Sequence, residues 1–572
     1  MENIVFLILR RMRQPLLTLI SVYTIAVLGL TLIPGEDAAG QTHYMSLFHA
    51  FYFVSFMSTT IGFGEIPFAF TDAQRLWVTL SMYASVVAWI YALGTILSLL
   101  QDQTFQRALA EGSFARRIRR MREPFYLICG YGETGQTLVR ALTDRGQHVV
   151  VIDREEERTS LIQLQNLRDH VPALSADARM PRHLQEAGLP HPACAGVVAV
   201  TDDNETNLKV AITSKLLHPE IKVICRADSR DVEANLASFG TDYIIDPFDT
   251  FSMHLATAFE TPCLYLLQRW LGGEENAQLE EPVYPPRSGH WVVCGYGRFG
   301  KAMAARLKSE GVLVTVIEAM PDMTGEPPPG YVVGVGTEAD TLLDAGLEDA
   351  VGIVAGTDDD TDNLSIVMTA RDIRPDIFVI VRQNHSENQA IIDAVEADMV
   401  MHPSAIIARR IRVLLGTPML YQFISLALHQ DNDWACELVS RVSALVSQRV
   451  PDIEEITINQ AQGGAVCQFD SGGEPVRLEE VLRDPWRREH NLPCIVLLIR
   501  RGREYILLPD PSTVLHQDDQ LLVCGDAGSF SRLHWNLCNR GALEYVRTGR
   551  VSTRGWLWRK VEKWAARSAR KP

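Results

Sequence analysis

The stretch Ser58-Thr59-Thr60-Ile61-Gly62-Phe63-Gly64-Glu65 lies between two apolar segments, each long enough to cross a membrane. Residues 16–33 form a run of 18 without a charge, closed by Pro34-Gly35. As a helix that run extends ~27 Å, against a hydrocarbon core of ~30 Å. A second uncharged run, residues 76–100, is 25 long and starts after Arg75. A secretory signal peptide is the competing reading of the first run, with Arg10, Arg11 and Arg13 ahead of it and Ala38-Ala39-Gly40 behind. The run is too long for that, and Glu36-Asp37 crowd the supposed cleavage site.

Between the spans, residues 46–59 (SLFHAFYFVSFMST) are apolar and aromatic but too short to cross, which predicts a re-entrant helix capped by Ser46. Its negative C-terminal end would face a cavity where a partly dehydrated cation gains. Two glycines at alternate positions, behind threonines, suit backbone carbonyls that turn inward to replace an ion's water. The bland alternative is a glycine-rich turn between unrelated helices. Thr59-Thr60-Ile61-Gly62-Phe63-Gly64 resembles the K+-channel signature T-V-G-Y-G. Ile61 stands for Val, Phe63 for Tyr, and Glu65 where Asp is common. The resemblance implies that these six residues are a selectivity filter and K+ the permeant ion. One filter per chain requires a homotetramer to close a ring.

Charge sets the orientation. Net charge is −16, but residues 1–123 carry +2 and residues 540–572 carry +8, which leaves −26 between them. An acidic body with basic flanks argues against nucleic acid and suits a domain beside anionic membrane lipid. Arginines precede the first span and follow the second (Arg107, Arg116, Arg117, Arg119, Arg120, Arg122), whereas the connecting loop holds Arg75 alone. The positive-inside rule then places both termini in the cytoplasm of a multi-pass inner-membrane protein. The tail from 543 to 572, with Trp556, Trp558 and Trp564, would lie on membrane, pack on the soluble body or be disordered.

Within the second span, Gly94 costs helix stability relative to alanine and needs a reason. Close packing is one; a bending point in a pore-lining helix is the other. Leu97 shares its face at i+3, and a ring of four leucines would close a pore by dewetting. Gly94 and Leu97 are therefore the candidate gate.

From residue 125 the chain repeats itself. Residues 125–129 are followed by Gly130-Tyr131-Gly132-Glu133-Thr134-Gly135, a helical stretch, a β-like run 148–152 and Asp153. Residues 291–294 are followed by Gly295-Tyr296-Gly297-Arg298-Phe299-Gly300, a helical stretch, 313–317 and Glu318, at an offset of 165. Further on the offset is 156: Thr201-Asp202-Asp203 matches Thr357-Asp358-Asp359, and Thr261-Pro262 matches Thr417-Pro418. This is a tandem duplication. Strands are expected at 196–201, 223–227 and 243–245, and at 352–357, 378–382 and 399–401, giving two doubly wound parallel sheets. In each, a GxGxxG joins strand to helix and an acid follows 18 positions after the last glycine. The expected nucleotide-binding residues are Gly130, Gly132, Gly135 and Asp153, then Gly295, Gly297, Arg298, Gly300 and Glu318. Both acids would repel a 2′-phosphate, which favours NAD or ADP over NADP. Arg298 can pair with phosphate; Glu133, at the equivalent place, opposes it. The alternative is that the glycines serve packing and bind nothing.

The repeats resemble RCK domains, shared with Trk-type K+-uptake regulators, through VAVTDDNETNL, VICRADSRD and GTDYIIDP. Residues 251–271, and their repeat near 406–426, look like that family's crossover helices. Residues 434–526 resemble its smaller C-terminal lobe. The implied organisation is a cytoplasmic N-terminus (1–15), pore domain (16–100), linker (101–123), first RCK domain (124–285), second RCK Rossmann lobe and crossover (286–426), TrkA-C-like lobe (427–535) and basic tail (536–572). The fold class is a membrane α-helical pore, two spans plus a re-entrant helix, fused to two α/β Rossmann-like domains and a small α+β lobe. Two RCK domains on each of four chains supply the family's ring of eight. Ca2+ is a further family ligand, and Asp202-Asp203-Glu205 and Asp358-Asp359-Asp360-Asp362 invite it. Their spacing is not an EF-hand, and helix caps explain them better; no metal ligands can be named. The ten cysteines show no CxxC and no zinc spacing, and Cys129 and Cys294 read as small core residues in a reducing compartment.

The expected function is a K+ channel gated by cytoplasmic ligands, not an enzyme. Its rivals are a non-conducting nucleotide sensor that regulates K+ transport and a membrane-anchored NAD oxidoreductase. The filter stretch opposes the first. The second lacks a substrate domain and an acid/base set.

Overall fold

The computed structural model describes residues 2–36, 41–59, 61–62, 69–273, 278–447 and 449–550, and of 2–10, 103–104 and 106–111 only the backbone. Thr60, Phe63 and Gly64 of the expected filter, Glu65 after it, and the tail from 551 lie outside the described residues. The chain divides into two units, one ending at Arg122 and one starting at Glu123.

In the first unit, helix α1 (Glu2–Leu32) starts well before the expected span and runs through Pro15. Residues 4–9 are also apolar, so nothing in the pattern stops it. Helix α2 (Leu47–Ser58) is the short re-entrant segment, and the Ser46 hydroxyl accepts the His49 N–H at 3.3 Å. Helix α3 (Asp72–Gln101) begins in a capping box of Thr71 and Gln74, which satisfies two orphan donors. Ala26 and Leu30 of α1 form one core with Ala50, Phe53, Val54 and Phe56 of α2. Gly29 lets Trp77 lie against α1, since a Cβ there would come within 2.0 Å of the indole. The Trp77 Nε1–H then donates to the Ala26 carbonyl at 3.1 Å. Helix α4 (Gln103–Ile118) follows a break at Asp102, whose carboxylate takes Arg11 of α1 at 2.5 Å.

The second unit opens with strand β1 (Phe125–Cys129), helix α5 (Glu133–Asp144), β2 (His148–Asp153), helix α6 (Glu156–Leu164) and β3 (Ala173–Ser175). Strand β4 (Cys194–Ala199), helix α7 (Asn204–Leu217), β5 (Lys222–Arg226) and β6 (Tyr243–Ile245) complete the lobe. The sheet is parallel, in the order β3-β2-β1-β4-β5-β6. The first glycine loop leaves β1 at the point where the order reverses, the crevice in which such sheets take ligands. Strand β4 ends two residues earlier than expected. The Asn207 Oδ1 accepts both the N–H and the hydroxyl of Thr201, at 3.1 and 2.7 Å, so the backbone turns out of the ladder. The second repeat ends its corresponding strand early in the same way, through Asn363 and Thr357.

Two crossover helices follow, α8 (Pro247–Glu260) and α9 (Pro262–Leu271). Asp246 caps α8 with Pro247 at its first turn, so the element starts four residues ahead of expectation. Pro262 has no N–H to continue the ladder, and the chain bends there. The second lobe repeats the pattern: β7 (His290–Cys294), α10 (Arg298–Ser309), β8 (Leu313–Glu318), β9 (Val332–Val333), β10 (Ala350–Ala355), α11 (Asp360–Ile373), β11 (Phe378–Arg382) and β12 (Met399–Met401). Its sheet order, β9-β8-β7-β10-β11-β12, reproduces the first. Helices α12 (Pro403–Gly416) and α13 (Pro418–Ala427) are its crossover pair.

The crossover helices are exchanged. Phe248, Phe251 and Leu255 of α8 belong to one core with Trp291, Phe299, Met303 and Leu307 of the second lobe. Ile407, Ile411 and Leu414 of α12 belong to one core with Leu138, Val139 and Leu142 of the first. Each such side chain, fully buried, contributes roughly 1.5–3 kcal/mol. The lobes therefore stand as a reciprocal pair.

Helix α14 (Asn432–Val446) leads into an antiparallel sheet of β13 (Asp452–Thr457), β14 (Cys494–Arg501), β15 (Glu504–Leu507) and β16 (Gln520–Gly525), in the order β13-β16-β14-β15. Helices α15 (Ala527–Cys538) and α16 (Arg540–Thr548) close this small lobe. Cys129 and Cys294 are buried and free. Cys263 of α9 and Cys436 of α14, by contrast, form a disulfide at a sequence separation of 173, which no spacing in the sequence suggested.

Candidate functional site

Two places carry candidate chemistry. The first is the end of α2. The Thr59 hydroxyl donates to the Ser55 carbonyl at 2.9 Å and ends the helix, and the Ile61 N–H reaches back to the Phe56 carbonyl at 3.1 Å. Gly62 has φ +65°, the left-handed conformation expected for a loop that reverses its carbonyls. A Cβ at Gly62 would meet nothing within 4 Å, so conformation and not space calls for glycine. On α3, Leu97 is exposed, and a Cβ at Gly94 would meet no atom within 4 Å. Close packing inside the chain therefore does not require Gly94; Gly29, which the sequence pattern did not single out, is the glycine pressed against Trp77.

The second place is the pair of glycine loops. Gly130 and Gly295 have φ +104° and +88°. Gly132 and Gly297 sit at the N-caps of α5 and α10, leaving first-turn N–H groups without a capping side chain. Gly135 and Gly300 allow strand and helix to meet: a Cβ would lie 2.1 Å from the Gly130 oxygen and 1.8 Å from the Gly295 oxygen. Asp153 and Glu318 are buried and brace these loops. Asp153 accepts the N–H groups of Tyr131 at 2.5 Å and Glu155 at 2.8 Å. Glu318 accepts those of Tyr296 at 2.5 Å and Met320 at 2.8 Å. Each acid thus holds its loop in shape beside the crevice.

The residues that differ between the loops face the opposite lobe. Glu133 accepts the Ser386 N–H at 3.2 Å and lies 3.6 Å from both the His385 Nδ1 and the His402 Nε2. Burial pushes the His402 imidazole down, and Glu133 opposes that shift. Arg298 pairs with Asp228, which is buried and also takes Arg226 at 3.0 Å. The Arg298 and Arg382 guanidiniums lie 5.5 and 5.4 Å from the Phe248 ring centre. Burial, with Arg298 and Arg226 nearby, lowers the Arg382 guanidinium, and its Nε has no hydrogen-bond partner among the described residues. The second loop thus faces Arg298, Arg226 and Arg382 with Asp228, and Arg226 also takes Asp202 at 2.7 Å; the first faces Glu133, His385 and His402, with the Arg158 guanidinium beside Gly132. Sequence reasoning missed Asp228, Arg226, Arg382, His385 and His402 as neighbours of the loops. Asp228 and Arg226 lie inside VICRADSRD, and Arg382 is Arg226 displaced by the repeat offset of 156, so a signal was present.

The acidic clusters are helix caps. Asp203 accepts from Glu205 and Thr206, and Asp359 from Thr361 and Asp362. The Thr206 hydroxyl holds Asp203, and the Asp362 and Thr361 N–H groups hold Asp359, below the usual carboxylate range. Among the described residues no group of three or more His, Cys, Asp or Glu is placed to hold a metal ion.

Comparison with known proteins matches two families. The ion channel family covers residues 17–102. The TrkA-N domain matches twice, at 126–247 and 291–403. A protein of Methanothermus fervidus is 29% identical over 40% of this chain and 34% of its own length. Potassium channel protein 1 of Methanocaldococcus jannaschii is 22% identical over 50% of this chain and 83% of its own. The chain thus spans about a third of the first relative and most of the second. Among solved structures, the GsuK channel bound to NAD aligns over 94% of this chain and all of its own, at 16% identity and a TM-score of 0.47.

Proposed function

We propose that this chain, an ion-channel pore domain fused to two TrkA-N domains, is a K+ channel of the RCK type, assembled as a homotetramer and gated by an adenine nucleotide. The observation that carries the reading is the end of α2. A short capped helix between two spans delivers Gly62 in a left-handed conformation, inside the stretch that resembles the K+ signature. Carbonyls of 59–64 from four chains would replace the ion's water. The Arg11–Asp102 pair ties the start of the membrane-spanning part of α1 to the end of α3, in keeping with cytoplasmic termini in an inner membrane.

The ligand is NAD or ADP, taken first by the second repeat. Its phosphates would meet the free N–H groups of α10 and the Arg298 guanidinium. Binding competes with Asp228 for Arg298, so the nucleotide weakens one link between the lobes as it binds. That differential is the source of the gating energy. In a ring of eight lobes the change would reach Gly94 and Leu97 through residues 101–123. Lipid beside the basic linker completes the setting, and Ca2+ is a further ligand to test.

The test is flux from liposomes holding the full chain, K+ against Na+, with NAD, ADP or Ca2+ added. Selective K+ flux that changes with nucleotide is the expected result. Absence of flux, or hydride transfer from NADH to an acceptor, overturns the reading.

A further inference from the structure

Cys263 is the second residue of α9, behind Pro262, and Cys436 lies in α14 at the start of the small lobe, with their Cα atoms 5.1 Å apart. The other eight cysteines are free, and seven of them are buried. Burial pushes the Cys194, Cys225 and Cys294 thiols up to about 12 and Cys494 up to about 11, which leaves them protonated and unreactive. The bonded pair sits in different surroundings. Asn432 joins the two cysteines: its Oδ1 accepts the Cys263 N–H at 3.0 Å, and its Nδ2–H reaches the Cys436 sulfur at 3.5 Å. An amide donor and the positive end of α9 both favour a thiolate. Cys263 is buried, whereas Cys436 is partly exposed, so a reagent from solvent meets Cys436 first.

We propose that Cys263 and Cys436 form a reversible redox modification site, closed by hydroperoxides and opened by dithiol reductants, which couples the first crossover pair to the small lobe. The site rests on the reading that this unit faces the reducing cytoplasm, where a disulfide is not a default staple. In the forward reaction the Cys436 thiolate attacks a peroxide oxygen, the O–O bond breaks and a sulfenic acid forms. The Cys263 thiol then attacks that sulfur, the S–S bond forms and water leaves. Two thiols lose two electrons and two protons; one hydroperoxide is reduced to water and an alcohol, or to two waters. A dithiol returns the electrons by exchange and leaves as its own disulfide.

The consequence follows from what the helices join. Helix α9 continues from α8, which lies on the second lobe, and α14 carries the small lobe. At the other end of the same contact the Trp270 Nε1–H donates to the Arg449 carbonyl at 3.1 Å. With the bond closed, α9 and α14 are fixed at both ends. With it open, their N-terminal ends can slide, and a ligand has a larger shape change to drive.

The test uses the full chain in liposomes, equilibrated across ratios of reduced to oxidised dithiothreitol, acid-quenched, alkylated and read by mass spectrometry for the linked peptide. Nucleotide-dependent K+ flux is read on the same samples. The linked peptide should vanish at reducing ratios and return with hydrogen peroxide, and the flux response should be at least about threefold larger when reduced. Cys436→Ser and the Cys263→Ser/Cys436→Ser pair should hold the reduced response at every ratio, while Cys538→Ser keeps the redox dependence. A bond that stays closed in excess dithiol, or opens without change in response, overturns the proposal. If no flux appears in any state, amide exchange in α9 and α14 still decides: slower exchange when oxidised supports the site, equal exchange refutes it. Labelling of Cys538 in intact cells by a membrane-impermeant maleimide would remove the cytoplasmic premise and the proposal with it.

Discussion

The two glycine loops have the same backbone and opposite charge. Both turn through a left-handed glycine, both press a second glycine against a carbonyl oxygen, and both are braced by a buried acid. They part at the first residue of the helix. In the first repeat Glu133 sets a carboxylate at the helix N-terminus and meets His385 and His402. In the second, Arg298 sets a cation there and meets Asp228. Duplication preserved what the fold needs and let the charge at the helix N-terminus diverge. The first loop carries its own anion, Glu133; the second carries a cation, Arg298, met by Asp228 of the other lobe.

Four experiments break or sharpen that contrast. Gly135→Ala and Gly300→Ala should each destabilise the chain by roughly 2–4 kcal/mol, because a Cβ cannot sit against the Gly130 or Gly295 oxygen. Equal losses in denaturant unfolding would confirm that the loops are structurally equivalent. Arg298→Ala should weaken ADP or NAD binding at least about tenfold by calorimetry, as expected for a lost charge-assisted hydrogen bond. Unchanged affinity would move the nucleotide elsewhere. A third test concerns His254 in α8, whose counterpart at the repeat offset of 156 is Arg410. Burial, with Arg409, Arg410 and Arg269 nearby, pushes its imidazole down to about 4. The unfolded chain takes this proton below about 6.5 and the folded chain only near 4, so stability is lost as pH falls through that window. His254→Gln should flatten the thermal stability profile there. The smallest effect belongs to Glu133→Gln, a half-exposed partner, which should shift stability by less than about 1 kcal/mol. It should leave nucleotide affinity within about twofold; a large loss would make the first loop the binding site.

The duplication was legible because its landmarks are types that local conformation demands: a left-handed glycine, a proline after threonine, an asparagine that ends a strand. Strands at 243–245, 378–382 and 399–401 fall where their apolar runs place them. The exchange of α8 and α12 was not legible. A periodic apolar face shows that a helix is covered and not by which lobe, and the two lobes offer nearly the same surface. Asp153 and Glu318 stand in the sequence as nucleotide-binding candidates. That they also brace their loops is not legible there, because only coordinates show Tyr131 and Tyr296 donating to them. The Cys263–Cys436 bond left no trace in spacing, since the whole second Rossmann lobe and its crossover lie between them, at a sequence separation of 173. The reach of α1 beyond the expected span was missed because Arg10, Arg11 and Arg13 end a membrane segment without ending a helix.

The exchanged helices also settle a question of concentration. Two separate lobes that lend each other a helix would come apart on dilution, and their pairing would follow the abundance of the protein. Here the partner is tethered, and a short tether holds it at an effective concentration on the order of millimolar. Each chain carries a finished pair at any expression level, so the two loops are free to diverge without the pair falling apart.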